Sequence, residues 1–229
     1  MIKIFSTILL AFMGTMMLHA QSVSPTVSYT LPDGTTSEEE NLTASAPVVA
    51  NYSANPSDAD GYSAHYEWRF YLNNDTVPKI IRYEENTNYT FSEAGTWRII
   101  LYATFTKDGD VITDNNADNP FTVSISESVL EFPNAFSPNG DGINDVYKAK
   151  STYRSIVEFH AYIFNRWGQK LYEWDNPAGG WDGTAHGKQV PDGVYFLLCK
   201  AKGADGRVFN IRKDVNILRG YTERTTTTE

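Results

Sequence analysis

Apolar and polar residues alternate along most of the chain, with the period of two that is typical of β-strands. Between residues 66 and 72, aromatic and aliphatic side chains occupy every second position and share one face. The same alternation recurs between residues 97 and 105, which places Trp68 and Trp97 in one predicted core. Shorter strands are predicted at 79–83, 88–91 and 121–125. Short strands at this spacing, separated by Gly and Asn/Asp turns, predict an antiparallel β-sandwich.

The second half of the chain is also predicted to be rich in strands. The apolar runs that carry this prediction lie at 129–132, 156–164, 169–172, 194–200, 208–211 and 214–218. The segments 165–168 and 204–206 are expected to close two hairpins, because Gly tolerates the positive φ that tight turns require. No helical period persists after residue 20, so the chain is predicted to be all-β.

The first twenty residues have the pattern of a cleaved secretory signal peptide. Lys3 supplies a positive charge, residues 4–18 are almost wholly apolar, and Ala20 offers a small residue at the predicted cleavage site. The apolar run is shorter than the roughly 20 residues that a membrane-spanning helix needs. The mature chain is expected to begin at Gln21 and to contain no transmembrane segment.

Composition limits the partners that the chain can bind and the covalent cross-links that it can form. The formal net charge of −9 argues against binding to nucleic acid, because the phosphates would repel the chain. The single cysteine, Cys199, excludes an internal disulfide framework. It lies in the apolar strand predicted at 194–200, so we expect a buried and unreactive thiol.

Several distinctive blocks follow one another in the second half of the chain. The first block is FPNAFSPNGDGIND, at 132–145, and later blocks are NRWG, WDG and a Gly–Val–Tyr triplet. In this order the blocks resemble the gliding-motility-associated C-terminal domain of Bacteroidetes proteins, which is the type B sorting domain of the type IX secretion system. The matching positions are Phe132, Pro133, Asn134, Phe136, Ser137, Pro138, Asn139, Gly140, Asp141, Gly142, Asn144, Asp145, Asn165, Arg166, Trp167, Gly168, Trp181, Asp182, Gly183, Gly193 and Tyr195.

The first half resembles a PKD or related immunoglobulin-like domain in the blocks 66–70 and 89–100. The two resemblances together imply two antiparallel β-sandwich domains of immunoglobulin-like type in tandem, after the cleaved signal peptide. The expected divisions are a Sec signal peptide at 1–20, a PKD/immunoglobulin-like domain at 21–127, a sorting domain at 128–219 and a disordered tail at 220–229. The polar triplet at 126–128 has no Pro or Gly spacer, so we expect the domains to lie close together.

The loop at 139–145 leaves two interpretations open. Asn139, Asp141 and Asp145 supply side-chain oxygens around a Gly turn, which is the chemistry that Ca²⁺ prefers. Ca²⁺ needs about 6–8 oxygen ligands, however, and this loop alone supplies too few. The other interpretation is a pair of tight turns in which Asn and Asp bond to their own backbone. No other cofactor is expected.

Nothing in the sequence points to catalysis. His65 and His160 lie in predicted strands, His186 lies in a turn, and His19 is removed with the signal peptide. The acidic run at 38–40 is expected to be a solvated surface rather than an acid/base pair. We therefore expect a protein that is not an enzyme.

Two further residues have alternative interpretations. Trp181 beside Asp182 resembles a sugar platform, but its place in a family block favours packing against the sheet. Thr76, in the triplet Asp–Thr–Val, resembles the O-glycosylation signal of exported Bacteroidetes proteins, and an ordinary turn is the alternative.

These resemblances imply a secreted or cell-surface protein, exported by Sec and then by the type IX outer-membrane machinery. The N-terminal sandwich is expected to be an adhesive, binding or structural module whose partner is a surface glycan or another surface protein. The alternative is a carbohydrate-binding module or a small surface hydrolase that uses the N-terminal loops.

Overall fold

The structure is a computed structural model that describes residues 21–220, and within that range every regular element is a β-strand. The prediction of an all-β protein built from sandwiched sheets is confirmed. No helix in the described range could span a membrane. The predicted signal peptide and the predicted disordered tail after Gly220 lie outside the described residues.

Two sheets form the sandwich of the N-terminal half. One has the order β4-β12-β10-β7-β8, with β11 added to β10, and the other has the order β3-β2-β5-β9. A separate small sheet pairs β1 with β6, and the Val23 N–H of β1 donates to Asp114 of β11 at 2.8 Å. The strands are β1 (Ser22–Val23), β2 (Thr26–Thr30), β3 (Thr36–Ser37), β4 (Asn41–Ala44), β5 (Val48–Ser53), β6 (Pro56–Ser57), β7 (Ser63–Leu72), β8 (Ile80–Arg82), β9 (Asn86–Phe91), β10 (Gly95–Lys107), β11 (Asp110–Asn115) and β12 (Phe121–Ile125).

Aromatic side chains fill the space between these two sheets, as the alternating pattern predicts. Trp68 and Trp97 are both fully buried, and each indole N–H donates to a backbone carbonyl at 3.1 Å. Tyr52, from the opposite sheet, lies 5.4 Å from Trp68 between ring centroids, and Phe91 lies 5.5 Å from Trp97. Rings at these separations attract each other in addition to burying apolar area.

The outer face of β7 and β10 is more buried than alternation alone predicts. Tyr71 and Ile100 point away from the core, yet both are only 6% exposed. The guanidinium carbon of Arg98 lies 4.9 Å from the centre of the Tyr71 ring, directly across the strand pair. Arg69 lies over Tyr102 in the same way, at 4.4 Å. Flat guanidinium groups therefore cover this face where no second layer does.

One large sheet organises the C-terminal half. Its order is β13-β21-β20-β15-β16, and the short pairs β14–β17 and β18–β19 lie over one face of it. The strands are β13 (Ala135–Phe136), β14 (Tyr147–Lys148), β15 (Ile156–Phe164), β16 (Lys170–Trp174), β17 (Gly180–Trp181), β18 (Thr184–Ala185), β19 (Lys188–Gln189), β20 (Gly193–Gly203) and β21 (Val208–Ile217). The hairpins predicted at 165–168 and 204–206 are confirmed.

Two strand predictions in this half are wrong. Residues 129–132 form no strand, apart from a single bridge between Val129 and Arg154. Leu130 and Phe132 are nevertheless buried in the core, whereas Val129 is half-buried and Glu131 is exposed. The predicted strands at 208–211 and 214–218 are one continuous strand, β21. The intervening Lys213 is tolerated because its ammonium donates to a backbone carbonyl at 2.6 Å.

The sheets are not purely antiparallel. Strand β4 pairs with β12 in parallel, and β13 pairs with β21 in parallel. Both parallel partners are short strands that return to a sheet edge after a long connection, so neither pairing has a local sequence signature.

The two halves contact each other through a polar seam. The hydroxyl of Ser155 accepts from the Ala46 N–H at 3.1 Å and lies 2.8 Å from the Ser126 hydroxyl. The tip of the β20–β21 hairpin also crosses the seam, because the Ala204 carbonyl accepts from the Ala94 N–H at 2.9 Å. A Cβ at Gly203 would lie 2.1 Å from the Ser128 hydroxyl oxygen, so this approach requires glycine. The halves lie close together, as expected, whereas the exact domain boundaries stay a prediction.

We predict that Trp68→Ala or Trp97→Ala destabilises the N-terminal sandwich by about 3–5 kcal/mol, because each leaves a cavity between two sheets. Urea unfolding of the mature chain, followed by tryptophan fluorescence and circular dichroism, measures the change. Tyr83→Ala is the matched control, because this ring is 58% exposed. Stability equal to that of the wild type in both tryptophan variants would contradict the sandwich core described above.

Candidate functional site

The first family block begins as a core element. Phe132 stacks on Tyr147 with ring centroids 5.9 Å apart and an interplanar angle of 17°. Phe136 lies 5.5 Å from Trp181, a residue that is far away in the sequence. All four rings are buried. These aromatic positions therefore build the fold and are not available to a partner.

The Asn–Gly–Asp–Gly loop that follows is organised around one carboxylate. Asp145 accepts backbone N–H groups from Asn139 at 2.9 Å, from Gly140 at 2.8 Å and from Gly142 at 2.8 Å. These bonds, from Gly140 and Gly142 first and then Asn139, hold the pKa of Asp145 below its usual value. Asp141 in turn accepts the Ile143 N–H at 2.8 Å. The loop is thus two consecutive turns closed by acidic side chains.

The hydrogen bonds within this loop bear on whether it can bind Ca²⁺. Both carboxylate oxygens of Asp145 and one of Asp141 accept backbone N–H groups. The other Asp141 oxygen accepts the Asn139 side-chain amide, and the Asn139 side-chain oxygen accepts the Asp141 N–H, both at 3.0 Å. Within residues 21–220, no group of three or more His, Cys, Asp or Glu side chains is placed to hold a metal ion. The arrangement favours the turn interpretation, and calcium binding stays a prediction to be tested.

The Trp–Asp–Gly block forms a second turn that is closed by side-chain hydrogen bonds. Trp181 is fully buried, and its indole N–H donates to the Thr184 carbonyl at 2.7 Å. Asp182 accepts both the N–H and the hydroxyl of Thr184, at 2.9 and 2.7 Å. Gly183 has φ of 78°, and a Cβ there would lie 3.0 Å from Pro138. Because the indole is inaccessible, Trp181 cannot be a sugar platform, and the packing interpretation is correct.

Arg219 joins the end of β21 to this turn, a role that the sequence did not reveal. One guanidinium nitrogen, Nη1, donates to the Val190 carbonyl at 2.7 Å and to the Asp192 carboxylate at 2.6 Å. The other, Nη2, donates to the Gly183 carbonyl at 3.2 Å. The sequence signal that could have indicated this role is an Arg placed immediately after an apolar strand. Its partners, at 183–192, could be found only in the folded chain.

The Asn–Arg–Trp–Gly block differs from the other blocks because its aromatic residue is exposed. The Asn165 side-chain oxygen accepts the N–H groups of Trp167 and Gln169, both at 3.0 Å, and so closes the β15–β16 turn. Trp167 itself is 75% exposed. The guanidinium group of Arg166 stacks on the Trp167 ring, with its carbon 4.3 Å from the ring centre.

The remaining candidate residues are dispersed. Cys199 is fully buried, and burial raises the pKa of its thiol to about 12, so it is not a nucleophile at neutral pH. His160 pairs with Asp175, whereas His65 and His186 are exposed and lie elsewhere. Thr76 is exposed in the turn between β7 and β8, where modification remains a prediction.

Comparison with known proteins identifies the C-terminal half. Residues 130–211 match the family model of the CHU_C type IX secretion signal domain, so the chain carries such a domain over that range. This match covers less than half of the chain. A signal domain of this class indicates export to the cell surface or the medium. No curated protein matches the chain.

One match among solved structures is the crystal structure of the FN1–FN3 domains of chicken CNTN1. The identity is 10%, the match covers 76% of this chain and 64% of that chain, and the TM-score is 0.24. This chain therefore spans less than two thirds of the chicken protein's structure.

We predict that millimolar Ca²⁺ leaves the thermal midpoint of the mature chain unchanged. A ligand that binds only the folded state would raise the midpoint, but this loop supplies fewer than the roughly 6–8 oxygens that Ca²⁺ needs, and its carboxylates are held by backbone N–H groups. Differential scanning fluorimetry with added CaCl₂ and with a chelator measures the difference. A rise that disappears in Asp141→Asn would instead establish a calcium site at 139–145.

We also predict that Asp145 makes stability depend on pH in the acid range. Its pKa is lowered by folding, so its contribution is complete above the unfolded value of about 3.9 and is lost as pH falls through the folded value. Asp145→Asn should lower the thermal midpoint at pH 7 and flatten its decline as pH falls below about 4. Asp60→Asn, at an exposed position in the other domain, is the control. An unchanged acid profile in Asp145→Asn would contradict this role.

Proposed function

We propose that this chain is a non-catalytic protein of the bacterial cell surface, exported by Sec and then by the type IX outer-membrane machinery. The C-terminal domain, at 128–219, is the address that the machinery recognises in its folded form. The N-terminal domain, at 21–127, is the cargo. The observation that carries this proposal is the family match at 130–211, joined to the way in which separated family blocks form one cluster.

The cluster supports recognition after folding. Phe136, Trp181 and Tyr195 come from three separate blocks, and Trp181 lies 5.5 Å from Phe136 and 5.2 Å from Tyr195. The Tyr195 hydroxyl donates to the Pro191 carbonyl at 2.8 Å, and Arg219 closes the same region from the C-terminal side. A linear peptide would present none of these contacts. The sorting information is therefore proposed to lie in the folded surface.

The N-terminal domain is proposed to act by binding or as a structural spacer, with a surface glycan or another surface protein as its partner. Its core is aromatic and closed, and the outer face of β7 and β10 is covered by Arg–Tyr stacks. His65, the histidine of this domain, is exposed, and no group of three or more His, Cys, Asp or Glu side chains within residues 21–220 is placed to hold a metal ion. A glycan array with the purified domain, read beside a hydrolase panel, separates a binding module from an enzyme.

We predict that residues 128–229, fused behind a signal peptide and a fluorescent cargo, carry the cargo across the outer membrane of a type IX-competent host. Removal of 214–229 should leave the cargo in the periplasm, because it exposes the edge of β20 and removes Val215, Ile217 and Arg219 from their partners. Removal of 221–229 alone should leave export intact. Cell fractionation and protease accessibility measure the cargo's location.

Two controls define failure of this proposal. The first is the same cargo without the domain, and the second is the complete fusion in a host that lacks the secretion channel. Export in either control at the level of the complete fusion would contradict a type IX sorting function.

A further inference from the structure

The outer face of the large C-terminal sheet is left uncovered by the described residues, and one end of it carries apolar side chains. The inner face of β15 and β20 packs into the core through Ala161, Ile163, Leu197 and Cys199. A sheet face directed to water normally carries polar side chains. Here Phe164 lies opposite Phe196, and Tyr162 lies opposite Leu198.

Three of these side chains, Phe164, Phe196 and Leu198, border an open groove of about 880 Å³ at one end of the sheet. Phe196 is 40% exposed and the neighbouring Val194 is 48% exposed. Trp167 stands at the adjacent hairpin tip, and Arg166, which stacks on it, lines the groove together with Arg212. We call the set Phe164, Arg166, Trp167, Val194, Phe196 and Arg212 the sheet pad.

The charge around the sheet pad differs from that of the rest of the chain. Residues 21–127 contain 16 acidic and 5 basic side chains, whereas residues 128–220 contain 10 acidic and 12 basic side chains. The groove beside the pad is lined by three basic side chains, Arg166, Arg212 and Lys213, and by one carboxylate, Asp214, so its charge is net positive. Among residues 21–220, neither Arg166 nor Arg212 forms a salt bridge. Aromatic residues and Arg are the side chains enriched where proteins bind each other. The complementary surface is apolar and carries carboxylates.

The position of the sheet pad separates it from the cargo. The seam with the N-terminal domain lies at the tip of the β20–β21 hairpin, near Ala204 and Asp205. The pad lies near the opposite ends of these two strands, around Val194 and Phe196. A partner on the pad would therefore not meet the domain that precedes it. This is the arrangement that a sorting signal needs if it is to be recognised on different cargoes.

We propose that the sheet pad is the surface by which the type IX outer-membrane machinery binds the folded sorting domain, through an apolar patch flanked by carboxylates. This inference rests on the proposed function. Burial of the exposed indole and phenyl rings supplies affinity, and the two guanidinium groups orient the contact through charge-assisted hydrogen bonds.

The test uses the full chain in a type IX-competent strain. The pad variant combines Trp167→Ser with Phe196→Thr, and a second variant carries Arg212→Glu. The matched control combines Tyr83→Ser with Val208→Thr, which also removes one exposed ring and one exposed apolar side chain, 58% and 66% exposed, outside the pad. Lys188→Glu is the charge control on an exposed hairpin. Circular dichroism and the thermal midpoint of each purified protein establish that it is folded.

We expect both pad variants to remain folded and their surface-exposed amount to fall about tenfold or more, with accumulation in the periplasm, because anchor residues of an interface dominate its affinity. Both controls should be exported like the wild type.

A folded pad variant that is exported at the wild-type level would overturn the proposal. The proposal would also be overturned if the wild type is oligomeric by light scattering, the pad variant is monomeric and export is unchanged. The pad would then join copies of this chain. A wild type that reaches the surface equally well without the channel would refute the sorting function, and the pad proposal with it.

Discussion

The hairpin of β20 and β21 is the element on which the rest of the C-terminal half depends. Its two strands pair continuously from Gly193–Ile217 to Lys202–Val208. β15 adds to one side and β13 to the other. At the tip, the Ala204 carbonyl accepts a hydrogen bond from the N-terminal half, and at the open end Arg219 ties the chain to Asp192. Loss of this pairing would therefore release the seam, the sheet and the C-terminal clamp together.

This dependence explains how short blocks, far apart in the sequence, can act as one signal. The first block lies before β15, yet its Phe136 packs against Trp181 and its β13 segment pairs with the last residues of β21. Closing such distant contacts costs chain entropy, which the aromatic cluster must offset by burial. The blocks therefore acquire a common surface only when the domain is complete. A partly synthesised or partly unfolded domain would not present that surface.

The parts of the structure that could be predicted are those with a local physical signal. Period-two alternation located β7, β10 and β15, and turn chemistry located the hairpin at Asn165–Gly168. The errors have a physical cause too. Leu130 and Phe132 are apolar because they pack into the core, and an apolar pattern does not reveal whether the backbone that carries it is paired. The parallel edges and the contacts of Arg219 join residues that are remote in sequence, so no local pattern encodes them.

Burial separates two roles within the family blocks that the sequence could not distinguish. Phe132, Phe136 and Trp181 are explained by packing, because each is buried against other rings. Trp167 has no such explanation, because most of its indole faces water and the turn beneath it is closed by Asn165. Within the described residues, the one ring contact of Trp167 is with the guanidinium group of Arg166, its neighbour in the chain. Its place at the end of the sheet away from the cargo is what the proposed contact with a partner requires, while the buried residues build the sheet that holds it there.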